Sequence, residues 1–520
     1  MKVLLMHRDR DFDLEAPLPP AASALTQDLE LTTLFNAMAR GDALLFKVAR
    51  PAVIRSLGDL DAILYRQNIL RDCLNHPAVV RQIYDLSKAA IDGYRRGFWG
   101  WRFPGSILSG SVDSVKNFMV MLRKLRAIAT EQAQRFNSEG FSTLFGMLIR
   151  ELSDDYFATV AHHLQELSFR NGVLISARLG PGNKATNHVL RRQSGQDQSL
   201  FTRLFFNDGR PSFTVRVHPR DEAGLRALSE LRDRGINLVA NALAQSSDHI
   251  LDFFTALRTE LAFYIGCLNL QEELEKRAAT LSFPVPASLD VRQHACTGLY
   301  DVCLALTIPE AVVSNDLSAD NKELVVITGA NQGGKSTFLR SIGVAQLMMQ
   351  SGMFVGAQAF CANICEGMFT HFKREEDATM ESGKLDEELS RMSGIVDELR
   401  PNCILLCNES FAATNEREGS EIARQIVCAL LEARVKIVFV THLFELAHGF
   451  HERHMENALF LRAERQAGGE RTFKLIEAEP LTTSHGVDLY KRIFTPNAGA
   501  ERREPEEHRE PRVGASVGDM

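Results

Sequence analysis

The sequence predicts a multidomain chain: a mainly α-helical region carrying a small β-containing insertion, followed by an α/β domain of the P-loop type. Three observations carry this expectation. Apolar residues recur at helical spacing through most of the first 280 positions, a glycine- and proline-punctuated segment interrupts them near residue 170, and strand-like runs alternate with helical ones from about Val285. A length of 520 residues allows three or four folding units at roughly 150 residues each, and 45% hydrophobic with 24% charged residues is a globular composition.

Taken in order, the first helical pattern includes Leu60, Ile63 or Leu64, Ile69, Leu70 and Leu74, with Gly58-Asp59 as a helix start. A second runs from about Val112 through Phe118, Met119, Leu122, Leu125 and Ile128, and continues with interruptions to Leu167. A third is expected to begin at the Ser246-Ser247-Asp248 cluster, a good N-cap, and to run unbroken for about 30 residues, a rod on the order of 45 Å. The expected boundaries are an N-terminal extension (1–27), a helical core (28–169), the insertion (170–222), a returning helix (223–285), the α/β domain (286–495) and a disordered tail (496–520). The tail assignment rests on mixed charge, prolines and the lack of aliphatic or aromatic residues in its Glu501–Arg512 stretch.

The net charge of −7 argues against a protein coated in nucleic-acid-binding charge, but the charge is unevenly spread. Residues 170–220 hold nine basic and two acidic side chains, a net of +7, which leaves −14 on the rest. The segment also holds the β-branched run Phe213-Thr214-Val215-Arg216-Val217, a strand candidate. Lys184, Arg191, Arg192, Arg203 and Arg210 are its candidate phosphate-backbone contacts, and a solvated charged loop is the competing reading.

No stretch of about 18 apolar residues is present to span a membrane, and the N-terminus lacks a signal-peptide pattern. Nine cysteines, several inside apolar runs, fit a reducing cytoplasm. Cys361 and Cys365 form a lone C-x3-C and read as free thiols rather than a zinc site.

Chemistry is concentrated in the α/β part. Gly329-Ala330-Asn331-Gln332-Gly333-Gly334-Lys335-Ser336-Thr337 fits G-x-x-x-x-G-K-[ST] between the apolar run Leu324–Ile327 and a helical stretch. Such a loop cradles phosphates with backbone N–H groups, Lys335 reaches the β- and γ-phosphates, and the Ser336 hydroxyl can ligate Mg²⁺. A second apolar run, Ile404-Leu405-Leu406-Cys407, ends in Asn408-Glu409. Asn408 stands where an aspartate usually serves the metal and contributes no charge; Glu409 is the general-base candidate. A third run ends in Val440-Thr441-His442, placing an imidazole where it can sense or position the attacking water, with a structural histidine as the alternative. Tyr94–Phe103, which holds both tryptophans, is read as an aromatic loop on the helical core or a base-stacking surface. His371–Asp377 is read as a polar mobile loop with Lys373 and Arg374 as candidate phosphate contacts.

Together, Ile327–Arg340, Asn408-Glu409 and Thr441-His442-Leu443-Phe444-Glu445-Leu446 resemble the MutS family of DNA mismatch-repair ATPases, with weaker similarity at Thr33-Leu34-Phe35, Arg66-Gln67 and Thr483-Ser484-His485-Gly486. The resemblance spans most of residues 28–492. It implies an ABC-type ATPase domain using ATP and Mg²⁺, long lever helices with a DNA-touching clamp inserted between them, and a homodimer in which each nucleotide site is completed by the partner. The +7 segment falls where the clamp would be.

The departures also carry expectations. The chain begins close to the core, ahead of which no mismatch-reading domain, connector or phenylalanine wedge is recognised. Asn415 stands where the family's glycine-rich loop offers a serine to the partner's nucleotide, and the dimer-supporting helix-turn-helix is reduced. The leading expectation is an ATP-dependent DNA-binding protein of the mismatch-repair family whose nucleotide cycle drives a clamp on duplex or branched DNA, with a further repair partner as a source of specificity. The alternative is a nucleotide-gated binding switch with little turnover and no intrinsic mismatch recognition. A transporter subunit would need an LSGGQ-like sequence, which is missing.

Overall fold

The computed structural model describes residues 1–97, 103–169, 172–192, 213–374, 383–465 and 471–481. The helical part comprises α1 (Ala22–Asp28), α2 (Leu31–Ala39), α3 (Ala43–Ile54), α4 (Leu60–Asn75), α5 (Pro77–Gly97), α6 (Pro104–Gln132), α7 (Glu139–Glu151) and α8 (Asp154–Leu167). The hairpin β1 (Leu174–Leu179) and β2 (Ala185–Arg191) follows, and the chain returns along α9 (Glu222–Glu275). Asp59 caps α4 by accepting the Ala62 N–H, as the sequence pattern predicts, and Ser138 and Ser153 cap α7 and α8 in the same way.

The returning helix is longer than expected. It starts at the Asp221 cap, runs for 54 residues and spans about 81 Å. Ser246-Ser247-Asp248 lies inside it rather than at its start. The Ser246 hydroxyl donates to the Ala242 carbonyl one turn back, so a side chain able to cap a helix is satisfied within one. The apolar face of α9 packs along α5 and α6, where Phe254 stacks on Phe118 at 5.9 Å and Phe118 on Tyr94 at 5.7 Å. Burial of the Phe118 and Phe254 rings contributes roughly 1.5–3 kcal/mol each.

Residues 1–27, expected as an extension, are built into the helical core through their first third. Val3, Leu5 and Met6 are fully buried. The carboxylate of Glu260 on α9 accepts the backbone N–H groups of Leu5 (2.6 Å), Met6 (3.0 Å) and Phe12 (2.7 Å). Tyr264 donates to the Leu5 carbonyl and Arg66 on α4 to that of Met6. A buried strap needs partners for its backbone, and these three side chains supply them. Despite the three donors, burial raises the Glu260 carboxyl to about 7.

Phe213–Val217, expected as a strand, joins no ladder among the described residues, and Phe213 and Val215 are exposed. The tryptophan-containing stretch 98–102, the 375–377 part of the polar loop, Thr483–Gly486 and the tail at 496–520 lie outside the described residues.

The C-terminal part has two sheets. The first is ordered β12–β11–β6–β10–β9–β8, formed by Arg471–Glu477, Ala458–Arg465, Leu324–Thr328, Lys436–Val440, Ile404–Asn408 and Met368–Phe372 respectively. All neighbours are parallel except β11 and β12. The three apolar runs read from sequence are β6, β9 and β10, and nearly every residue in them is buried, as a parallel strand covered on both faces requires. Helices α11 (Lys335–Gln350), α12 (Lys384–Glu398), α13 (Glu416–Glu432) and α14 (Phe444–His451) accompany it. The second sheet, ordered β3–β7–β4–β5 (Val285–Ala287, Ala359–Asn363, His294–Leu299, Asn315–Ser318), adjoins the short α10 (Val302–Thr307). Its strands are short and mixed in polarity, and nothing in the hydrophobic pattern announced them.

Candidate functional site

The site is built where β6, β9 and β10 end on the same edge of the parallel sheet. Behind β6 the chain turns through Gly329 (φ 114°) and Gly334 (φ 88°), left-handed angles that glycine adopts without strain, and enters α11. A Cβ on Gly329 or Gly333 would lie 2.9 or 2.8 Å from the Cβ of Ala463, so β11 closes over this loop and leaves room only for glycine. The loop wraps Lys335, whose buried ammonium donates to the carbonyls of Gly329 and Ala330, each at 2.9 Å. Burial lowers the Lys335 pKa, and the charge of Glu409 opposes that shift. Gln332 accepts from Arg471 on β12 at 2.6 Å, fastening the loop from outside.

Ser336, in the first turn of α11, donates from Oγ to Oδ1 of Asn408 at 2.8 Å. The two candidate metal ligands are thus adjacent, and both are neutral. They fit a Mg²⁺ ion that takes its remaining ligands from phosphate and water, as this ion usually does. The next residue, Glu409, has φ 55° and donates its N–H to the Val440 carbonyl at 2.9 Å. This left-handed, β-deviating geometry turns its side chain toward His442, with Oε1 and Nδ1 3.9 Å apart. That separation is a long electrostatic contact rather than a formed hydrogen bond. His442 is the largest influence holding the Glu409 carboxyl below its usual range; Lys335 and Lys373 add to it and burial opposes it. Glu409 and His442 share a cavity of about 350 Å³ with Gly329, Asn331 and Lys373.

A second cavity of similar size lies on the other side of the loop, lined by Val312, Val313, Gln332, Thr337, Phe338 and Phe473 among others. Asn315 holds Phe473 in place by donating to its carbonyl at 3.1 Å and accepting the Leu475 N–H at 2.7 Å. The P-loop pattern located Gly329–Thr337, but the β11–β12 cover and this apolar cavity were missed. They depend on residues far along the chain that form no motif.

His371 and Phe372, expected in a mobile polar loop, are the buried end of β8. The His371 ring contacts Ser410 Oγ (2.7 Å) and the Glu388 carbonyl (3.0 Å) and stacks on Phe411, so it props the loop that follows Glu409. Burial, with Arg391 nearby, depresses its pKa to about 4, which keeps it neutral. Arg374 pairs with the buried Asp28 at 3.1 Å. Asn415 caps α13: its Oδ1 accepts the Glu418 N–H at 3.0 Å and its amide donates to the Glu418 carboxylate.

Of the basic candidates, Lys184 is exposed just ahead of β2, Arg191 donates to Ser176 at 2.8 Å, and Arg192 pairs with Glu166 on α8 at 2.8 Å. Arg203 and Arg210 lie outside the described residues. Among the described residues no His/Cys/Asp/Glu group is arranged for a metal; Cys365 donates to Gln350 Oε1 at 2.9 Å.

Comparison with known proteins agrees with this geometry. The MutS2 N-terminal domain model matches residues 58–277 and the MutS domain V model matches residues 325–506. The chain belongs to the MutS family. The first of these MutS-family segments contains α4 to α9 and the hairpin, and the second the loop, Asn408, Glu409 and His442. Similar curated relatives include MutS protein homolog 4 of Homo sapiens, 22% identical over 359 residues, covering 65% of this chain and 37% of that protein. DNA mismatch repair protein MutS of Thermus aquaticus is 33% identical over 177 residues, 34% of this chain and 22% of that protein. That of Thermotoga maritima is 31% identical over 181 residues, 34% and 23%. The matches thus span little more than a third of the human relative and under a quarter of the bacterial ones. No helix among the described residues is long and apolar enough to cross a membrane.

Proposed function

We propose that this MutS-family chain binds and hydrolyses ATP with Mg²⁺ and uses that cycle to control a grip on DNA. The convergence of Lys335, the Ser336–Asn408 pair and the Glu409–His442 pair at one sheet edge carries the reading. The backbone N–H groups of the 329–334 loop and the N-terminus of α11 face the phosphates. On binding, Lys335 exchanges its two carbonyl partners for phosphate oxygens, and the base occupies the apolar cavity beside Phe473. Ser336 and Asn408 would hold Mg²⁺, which would supply charge neutralisation on the phosphates. Glu409, kept ionised, takes the proton of the attacking water, which His442 helps to position.

DNA would be held by the basic 170–220 segment, through Lys184, Arg191, Arg192, Arg203 and Arg210, as local, salt-sensitive backbone contacts. Two copies are expected to pair over their nucleotide sites, with any partner conferring specificity still to be found. Asn415, which caps its own helix, would have to give up that cap to contact a partner's nucleotide across such a dimer.

The test is phosphate release and DNA affinity measured together, for homoduplex, mismatched, junction and single-stranded DNA with and without ATP. Glu409→Gln should trap ATP, cut turnover at least about 100-fold and leave ATP-dependent DNA binding intact. No DNA binding at any salt concentration, or binding indifferent to ATP, refutes the proposal. A near-zero rate that Glu409→Gln leaves unchanged favours the nucleotide-gated switch.

A further inference from the structure

Ser336 and Asn408 offer a metal ion two neutral oxygens and no negative charge. A divalent ion bound there gains no anionic protein ligand, so more of the charge compensation for a triphosphate falls to cationic side chains. Lys335 supplies one from beneath the loop. A second lysine, Lys373, lines the cavity that holds Glu409 and His442. Lys373 directly follows β8, and its backbone N–H donates to the Asn408 carbonyl at 2.9 Å, which continues the parallel ladder that sets Phe372 opposite Asn408. Its position is therefore tied to that of the metal-ligand candidate itself.

The backbone there is held on both sides. Phe372 is buried within the sheet edge, and Arg374 is anchored by Asp28. Lys373 is exposed and lines the 350 Å³ cavity with Gly329, Asn331, Glu409 and His442. Among the described residues no carboxylate lies within ion-pair distance of its ammonium, although its charge is felt at Glu409. A lysine fixed at its backbone and lining a cavity that Glu409 and His442 share is placed to meet the terminal phosphate.

We propose that Lys373 is a phosphate-binding residue of this site, an ammonium that takes over part of the charge neutralisation which an acidic residue at position 408 would otherwise assign to Mg²⁺. The proposal rests on the nucleotide reading of the site and deepens it: nucleotide binding should depend less on divalent metal than in a site with an acidic residue there, and Lys373 should favour the triphosphate over the diphosphate.

The experiment is calorimetric titration of the intact chain with ATP and with ADP, in Mg²⁺ and in EDTA. The wild-type chain should hold ATP in EDTA within about tenfold of its Mg²⁺ affinity. Lys373→Ala should weaken ATP binding in EDTA by about tenfold or more while changing ADP much less, and Lys373→Arg should restore most of the loss. Asn408→Asp should make ATP binding strongly Mg²⁺-dependent, because it returns a carboxylate to the site. Loss of wild-type ATP binding in EDTA, or a Lys373→Ala chain with unchanged ATP affinity, overturns the proposal. Lys335→Ala separates the two levels. If it abolishes binding while Lys373→Ala does nothing, only the role of Lys373 falls; if the wild-type chain binds no ATP in either buffer, the nucleotide reading falls with it.

Discussion

Individual residues in this chain do unlike work with similar chemistry, and burial decides which. Lys335 and Lys436 are both buried lysines, but Lys335 has two carbonyl acceptors, whereas the Lys436 ammonium has no hydrogen-bond partner among the described residues. Burial, followed by the charge of Arg292, pushes Lys436 down to about 7 from 10.5. The folded chain therefore binds fewer protons at this site than the unfolded chain between those values, so stability rises with pH from about 7 to about 10.5. Below about 7 the full penalty applies, on the order of 4–5 kcal/mol. Lys436→Met, which fills similar space without a charge, should raise the melting temperature at neutral pH and flatten that rise. Thermal melts from pH 6 to 10.5 check this, and an unchanged slope would show that the side chain is hydrated. The residues of the proposed nucleotide site stood out in the sequence because P-loop chemistry constrains residue type and spacing together. Lys436 did not, since a lysine opening the strand Lys-Ile-Val-Phe-Val looks like an exposed end until β9 and the second sheet cover it.

At the scale of elements, the hairpin is seated on α9 with one approach that only glycine permits. A Cβ on Gly235 would fall 2.3 Å from Cδ1 of Ile175 on β1, so only glycine allows that strand to lie against the helix. Gly235→Val should displace the hairpin while leaving the helical core folded, because the remainder of α9 keeps its contacts with α5 and α6. The expected result is DNA affinity reduced several-fold with ATP affinity unchanged; equal DNA affinity would separate the hairpin from DNA binding. Periodicity found α4, α6 and the three central strands, where the pattern is long and the core one-sided or wholly buried. It misplaced the start of α9, since Ser246 and Ser247 carry a cap signature that a back-bonded hydroxyl and a packed helix face override. It also assigned His371 to a loop, because a short strand ending in His-Phe-Lys-Arg has too little pattern to declare itself.

Across the whole molecule, polar contacts run from the proposed nucleotide site into the helical part. At the corner between α1 and α2, Asp28 pairs with Arg374 and Glu30 with Arg340 of α11, which also meets the buried Asp301. At the other end of α11, Arg66 reaches the Ser351 carbonyl at 3.4 Å and the Met6 carbonyl at 2.8 Å, and the strap bearing Met6 is pinned to Glu260 of α9. If α11 shifts when the proposed nucleotide binds, Arg66 and the N-terminal strap are the contacts that would deliver the shift to α9. Arg66→Met should leave ATP affinity near wild type and reduce the ATP-induced change in DNA affinity, a coupling of typically 1–3 kcal/mol. Retention of the full change, in a variant whose melting shows it folded, would place the linkage elsewhere. The sequence by itself determined the helical and α/β division, the phosphate loop with Asn408, Glu409 and His442, and a +7 segment set in a −14 background, because each is written in local spacing or composition. Only the tertiary structure decided that the first twelve residues close on Glu260, that Ala463 and Phe473 cover the loop, and that Lys373 opens onto the same cavity as Glu409. Those pairings join residues from about 30 to 250 positions apart, and burial and backbone hydrogen bonding select them only once the chain has folded.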